Sequence, residues 1–255
     1  MSVSVHIKDF QGSFCLMISK RFNSSPAIDV EGQTELRQGK ILIISLLFLI
    51  CFLLVASFRG SFYKENLSVN LWSTSVNTGF FTPAAQTISV VFDTTALAVI
   101  SLVVAIFLFV LHHRRYSLLL LGAMAGDALL VALFKTIIIS PRPLNEIIVE
   151  TGYSFPSGHT TSSVVFVGVL TYFAWKQWDS TKIKALTAGL YVSITAVVGF
   201  DRIYLNVHWF SDIVGAFFLG AFWLTFCILL FKRFVPSRRI QRFLSQDAKS
   251  EQLTL

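Results

Sequence analysis

With 255 residues, of which 54% are hydrophobic and only 14% charged, the chain falls well short of the charge content of a soluble domain, where about a quarter of residues are charged. Its mean hydropathy of +0.68 places it among all-α polytopic membrane proteins. The net charge of +7 comes with no RNA- or DNA-binding pattern, so it reads as membrane topology and contact with anionic lipids and excludes nucleic acid as a partner.

In chain order, residues 1–40 are mixed and polar, with Asn23-Ser24-Ser25-Pro26 as a break. They read as a cytoplasmic tail, or as a segment resting on the membrane through Phe10, Phe14, Leu16, Met17 and Ile18. The apolar run 41–58 begins too deep for a cleavable signal and is expected as a retained helix. The connection 59–87 carries Phe62, Tyr63, Leu67, Val69, Leu71 and Trp72, which predicts an interfacial helix over the outer face. Within it, Asn66-Leu67-Ser68 fits a glycosylation acceptor.

Runs 88–111, 118–139, 160–175, 185–200 and 213–231 follow, giving six expected spans in a single bundle over 41–232. The third run holds Asp127 and Lys135 and the fourth is rich in Ser and Thr, so both are expected to face the bundle interior. Gly122 and Gly126, four apart, would let another helix come close. Trp175 and Trp178 fall where an inner aromatic belt belongs, and 233–255 is a basic cytoplasmic tail. Cys15, Cys51 and Cys227 show neither a metal-ligand nor a disulfide spacing.

Basic residues set the orientation, because Lys and Arg near helix ends stay cytoplasmic. With both termini inside, only Arg59, Lys64, Lys135, Arg142 and Arg202 fall on the outer side. This predicts an integral protein of the plasma (inner) membrane.

Three of those five cations belong to short polar stretches in an otherwise apolar chain, and ionisable groups at the ends of membrane helices mark functional sites. Lys135 lies near the outer end of the third span, and Ser140-Pro141-Arg142-Pro143 then breaks the helix. Alone, Lys135 reads first as a side chain snorkelling to the interface. Pro156-Ser157-Gly158-His159 opens the fourth span. Glycine permits close backbone approach and free amides at a helix start favour an anion, while Ser157 can cap the helix or donate to a phosphate oxygen. His208 and Asp212, four apart, share a helix face. The carboxylate can hold one ring proton and leave the other nitrogen nucleophilic, or the pair is a structural hydrogen bond. Asp127 reads first as a hydrogen-bond partner for a neighbouring helix and second as a group handling substrate or protons, Asp93 as an exposed boundary residue, and His112 and His113 as inner-surface residues.

Taken together, Lys135 with Arg142-Pro143 seven positions on, then Pro156-Ser157-Gly158-His159, then Arg202, His208 and Asp212 resemble the three signature motifs of the type-two phosphatidic acid phosphatase superfamily, in its membrane-bound branch. The resemblance implies that His208 attacks phosphorus to give a phosphohistidine, that Asp212 orients its ring, and that His159 protonates the leaving oxygen and later activates water. It implies that Lys135, Arg142, Ser157, Gly158 and Arg202 bind the phosphate oxygens, with no metal and no cofactor. One position departs: Asp201 stands where the family usually has Ser, and its carboxylate repels phosphate unless it turns to pair with a nearby cation.

The expected activity is hydrolysis of a lipid phosphomonoester or diphosphate at the extracytoplasmic face. An undecaprenyl diphosphate-type isoprenoid ranks ahead of phosphatidylglycerol phosphate or phosphatidate, on family prevalence alone. The competing readings are a phosphotransferase passing the group from His208 to a second lipid, and a lipid transporter or binding protein using the same cations. Partners beyond lipid substrate and membrane lipids are not implied.

Overall fold

The computed structural model describes residues 26–234; residues 1–25 and 235–255, which hold most of the expected N-terminal segment and basic tail, lie outside the described residues. The chain divides into two compact units, one ending at Ile41 and one beginning at Leu42. In the first, the described residues are the opening turns of a helix.

All described secondary structure is helical. It runs α1 (Pro26–Phe58), a 3-10 turn (Arg59–Phe62), α2 (Tyr63–Val76), α3 (Thr82–Val91), α4 (Thr94–Val110), α5 (Arg114–Ile138), α6 (Gly158–Gln177), α7 (Thr181–Tyr204) and α8 (Phe210–Phe234). Among the described residues, four helical stretches are long and apolar enough to cross a membrane, or five if the bent pair α3–α4 counts as one span. The expected count of six is therefore not reached on length and composition. The second expected span is broken because the Asp93 carboxylate caps α4, accepting from the Thr95 and Ala96 amides, and α3 meets α4 at a bend of 53°. The helix α6 stands outside the apolar group because its first turns are His, Thr and Ser.

Those polar turns face protein. Every residue from Gly158 to Val169 is buried, and α6 packs against α4, α5, α7 and α8. Lipid tails are as apolar as leucine, so helices in a bilayer are held by close packing and hydrogen bonds instead of by exclusion of water. Close packing is visible at Gly126, where a Cβ would lie 2.1 Å from the Trp223 ring. Gly122 has nothing within 4 Å, so only one of the expected pair serves a helix contact. The central core joins Leu97, Leu120, Val165, Val169 and Leu224. Toward the end where α6 begins, Phe155 is fully buried, stacks 5.7 Å from Phe52, and fixes the chain just before Pro156.

The short helix α2 rests on the α7–α8 turn. The Ser73 hydroxyl donates to Ile203 O at 2.8 Å, and Asn70 Nδ2 donates to Asn206 Oδ1 at 3.0 Å. Asn66 donates to Ser211 Oγ at 3.0 Å and accepts from the Ser211 amide at 2.9 Å. Its side-chain amide is thus engaged in tying α2 to the start of α8, which argues against the glycosylation reading.

Candidate active site

Four helix ends converge at the α6 start: the end of α5, the start of α6, the end of α7 and the start of α8. α5 terminates through Ile139 at φ +48, a left-handed conformation that β-branched residues rarely adopt. Arg59 Nη2 donates to Ile138 O at 3.1 Å, satisfying one of the carbonyls left open there. The proline-rich segment then places Arg142. Ser154 N donates to Ser140 O at 2.8 Å and Ile147 N donates to Leu205 O at 3.0 Å, which pins the α5–α6 loop to the α7–α8 turn.

His208 lies in that turn and is 3% exposed. Its Nδ1 is 3.3 Å from Asp212 Oδ2 and 3.3 Å from Ser154 Oγ, and its Nε2 is 3.4 Å from Arg142 Nη1. A guanidinium can only donate and a carboxylate can only accept, so these contacts assign the proton to Nδ1 and the lone pair to Nε2. Burial first, then the Arg142, Lys135 and Arg202 charges, hold the ring's pKa well below its ordinary 6.5. Asp212 Oδ2 also accepts from the Trp209 amide at 2.9 Å and from the Ser154 hydroxyl, so its position is fixed from three sides.

Arg202 is fully buried. Its Nε and Nη2 donate to Asp201 Oδ2, while Nη1 faces Glu150 Oε1 at 3.1 Å and His159 Nε2 at 3.2 Å. The residue that departs from the family pattern has turned to its neighbouring cation. Burying a charge is costly unless it is paired, and Asp201 supplies the pair.

His159, 6% exposed, bonds the backbone of Ser89 and presents Nε2 to the same space. Asp93 Oδ2 lies 3.8 Å from that nitrogen and Glu150 Oε1 4.0 Å. The two rings are near enough to interact electrostatically. Arg142 spends most of its donors on the chain: Nε on Gly152 O at 3.1 Å, Nη2 on Thr151 O at 3.1 Å and Nη1 on Val207 O at 2.8 Å. Lys135 interacts electrostatically with Arg142, Glu150 and Asp212 and has no hydrogen bond or ion pair among the described residues. Ser157 is fully buried, with its hydroxyl accepting from Thr160 Oγ1 at 3.2 Å. A Cβ on Gly158 would stand 3.0 Å from Thr94 Oγ1, so the α6 start is packed tightly against α4.

The structure thus brings together Lys135, Arg142, Ser157, Gly158, His159, Arg202, His208 and Asp212. It adds three groups that sequence reasoning did not assign: Ser154, Asp93 and Glu150. Asp93 carries the Asp-Thr-Thr pattern of a helix start, but nothing in the sequence places that start against His159.

Residues 116–236 match the profile of the PAP2 superfamily, and this stretch contains all eight expected residues. This segment, just under half of the chain, is similar to that superfamily. PAP2 relatives include the phosphatidylglycerophosphatase B of Bacillus subtilis (strain 168), 34% identical over 109 residues, or 41% of this chain and 52% of the relative. The undecaprenyl-diphosphatase of Sulfolobus acidocaldarius is 28% identical over 111 residues, covering 43% and 45% respectively. The chain therefore spans about half the length of the curated relatives it matches. In three dimensions it resembles a transmembrane PAP2 type phosphatidylglycerolphosphate phosphatase from Bacillus subtilis, with a TM-score of 0.70 at 21% identity over 76% of this chain and 99% of the other. That likeness shows the fold alone.

Asp127 lies away from this site. It accepts from Ser162 Oγ at 2.6 Å across the α5–α6 interface, the structural role expected of it. His113, expected at the surface, is half-buried at the opposite end of the bundle, 3.0 Å from the Gln177 amide.

Proposed function

We propose that the chain is an integral membrane lipid phosphatase that cleaves a lipid phosphomonoester or diphosphate through a phosphohistidine on His208. One observation carries this reading: the Nε2 lone pair of His208 faces the Arg142 guanidinium at 3.4 Å, while its Nδ1 is held by Asp212. The phosphate sits between Lys135, Arg142 and Arg202, with the Gly158 amide and Ser157 at the positive end of α6. His208 Nε2 attacks phosphorus as the P–O bond to the lipid breaks. His159, protonated on Nε2 once the phosphate has taken Arg202 Nη1 from that nitrogen, gives a proton to the departing oxygen, and Asp212 stabilises the charge on the His208 ring. His159 then takes a proton from water as that water attacks the phosphohistidine, which releases orthophosphate and restores His208. Three cations aimed at one point supply the charge stabilisation that other phosphatases draw from bound metal ions.

The site lies at the boundary end of an apolar bundle, which suits a phosphate headgroup whose tail stays in the bilayer. We further propose that 41–232 is the catalytic unit with six passes, α6 among them because protein encloses its polar turns, and that the site is extracytoplasmic with both termini inside a plasma membrane. Of the two substrate classes, the relative of higher identity carries the phosphatidylglycerophosphatase name, so that monoester heads the panel and an isoprenoid diphosphate follows it.

The test is orthophosphate release by the detergent-solubilised protein from phosphatidylglycerophosphate, phosphatidate and undecaprenyl diphosphate, with and without a chelator and with no second lipid as acceptor. Release undiminished by chelator is the expected result. Release that needs an added acceptor lipid makes the protein a phosphotransferase, and binding without turnover makes it a carrier.

A further inference from the structure

Three cations, Lys135, Arg142 and Arg202, surround the space in front of His208 and His159. Among the described residues, three carboxylates lie within 4 Å of these cations or of His208, and two are permanently committed. Asp201 is 2% exposed and clamped to Arg202, and Asp212 is 1% exposed and holds His208 and the Trp209 amide. The third, Glu150, is 21% exposed, sits on the α5–α6 loop, and belongs to no helix. Its two oxygens divide between the very groups assigned to the phosphate: Oε1 lies 3.1 Å from Arg202 Nη1 and 4.0 Å from His159 Nε2, and Oε2 lies 3.7 Å from Arg142 Nη2. Lys135 also feels its charge.

We infer that Glu150 is an internal competitor for the phosphate position, a side chain whose carboxylate fills the cation cluster until substrate displaces it and returns to it when orthophosphate leaves. This rests on the phosphatase reading and adds to it a determinant of specificity and product release. Of the Arg142 donors, Nε, one Nη2 hydrogen and one Nη1 hydrogen go to carbonyls and the other Nη1 hydrogen faces His208, so the donor left over is the one turned toward Glu150. On Arg202 the only nitrogen not given to Asp201 is Nη1, and it faces Glu150 and His159. A phosphate bound by these two arginines meets the donors that Glu150 holds, because Arg142 has no other donor to offer and Arg202 turns Nη1, not the Asp201-clamped edge, toward Glu150 and His159. Without such a competitor, a buried cluster of three cations would retain orthophosphate and stall after each turnover. A weakly held carboxylate on a partly open loop lowers affinity for the small product while leaving the lipid substrate its additional contacts.

The experiment is calorimetric titration of inorganic phosphate into the detergent-solubilised full chain, comparing the wild type with Glu150→Gln and Glu150→Ala. The second variant covers the case in which the first does not fold. Phosphate binding tightened by roughly tenfold in a variant, from removal of one competing charge, supports the proposal. Unchanged binding overturns it, because Glu150 then does not compete. Weaker binding also overturns it, because Glu150 then serves to hold the guanidiniums in place. Either of those results leaves the phosphatase reading intact so long as wild-type protein turns over lipid phosphate. Failure of wild type and variants alike to bind phosphate, with no lipid turned over, removes both.

Discussion

The two ends of the helix bundle use the same kinds of side chain for different ends. At the end remote from α2, Arg114 lies over the Phe109 ring at 4.9 Å, Lys176 and Lys232 lie 5.7 and 6.0 Å from the Tyr172 ring centre, and His113 packs 5.1 Å from Phe173. Nearby, Lys184 pairs with a fully exposed Asp179. These cations meet rings and solvent, as anchors at a membrane boundary do. At the α6 start, Arg202 is fully buried and His208 and His159 are nearly so, and all three point into one space. What separates anchor from candidate catalyst is burial and convergence, not residue type. Each variant below either breaks that contrast or sharpens it.

The largest effect is expected from the histidines. His208→Ala should lower phosphate release by roughly 10⁴-fold or more, as removal of a nucleophile does elsewhere. His113→Ala should leave it within about twofold, since this half-buried ring packs on Phe173 and Gln177 at the end of the bundle away from the site. Equal losses in the two variants, measured as initial rates on the same lipid, would erase the distinction between the ends.

Next comes the pairing of Arg202. Asp201→Asn removes the charge that compensates a fully buried guanidinium, and breaking a buried pair costs about 3 kcal/mol or more. Chemical denaturation in detergent should show that loss, together with a fall in activity, because Arg202 Nη1 is aimed by the Asp201 clamp on the other edge of the guanidinium. A variant of unchanged stability and activity would mean that the clamp is dispensable and the family's usual serine and this aspartate are equivalent.

A subtler contrast lies in pH. In the proposed mechanism His208 must be neutral to attack, and burial with the Arg142, Lys135 and Arg202 charges keeps its pKa below 6.5. Protonation removes the lone pair, so the acid limb of kcat/KM should fall on the low-pH side of an ordinary histidine. Arg142→Ala takes away the second-ranked cause after burial, the imidazolium becomes less unfavourable, and the limb should move up toward 6.5. A limb that stays put in this variant would show that a different group sets it.

How much of this could be read from the chain follows the same division. Apolar runs gave the long helices because a bilayer demands them, and the eight motif residues were legible because their types, order and spacing recur together. What could not be read depends on the third dimension. The break at Asp93 lay hidden within a continuous apolar run, since a capping aspartate and a boundary aspartate look alike until the amides of Thr95 and Ala96 are seen on it. Glu150 sits in a loop with no periodicity, and only the folded loop carries it to Arg202. Gly122 and Gly126 share a spacing, yet only the second meets a partner ring.

The smallest effect is expected at Asp127, and it tests whether burial alone makes a carboxylate functional. This side chain is 1% exposed, as deep as Asp212, but it has one partner, the Ser162 hydroxyl, and its Oδ1 has no hydrogen bond among the described residues. Among the described residues, no cation or imidazole is hydrogen-bonded or ion-paired to it. Asn keeps an oxygen for Ser162, nearly the same volume, and no charge, so Asp127→Asn should retain activity within about twofold and leave thermal stability equal or higher. An activity loss of tenfold or more with unchanged stability would give this carboxyl a part in proton handling through the bundle. Burial without convergence would then suffice for function, and the contrast between the two ends would no longer account for where the chemistry resides.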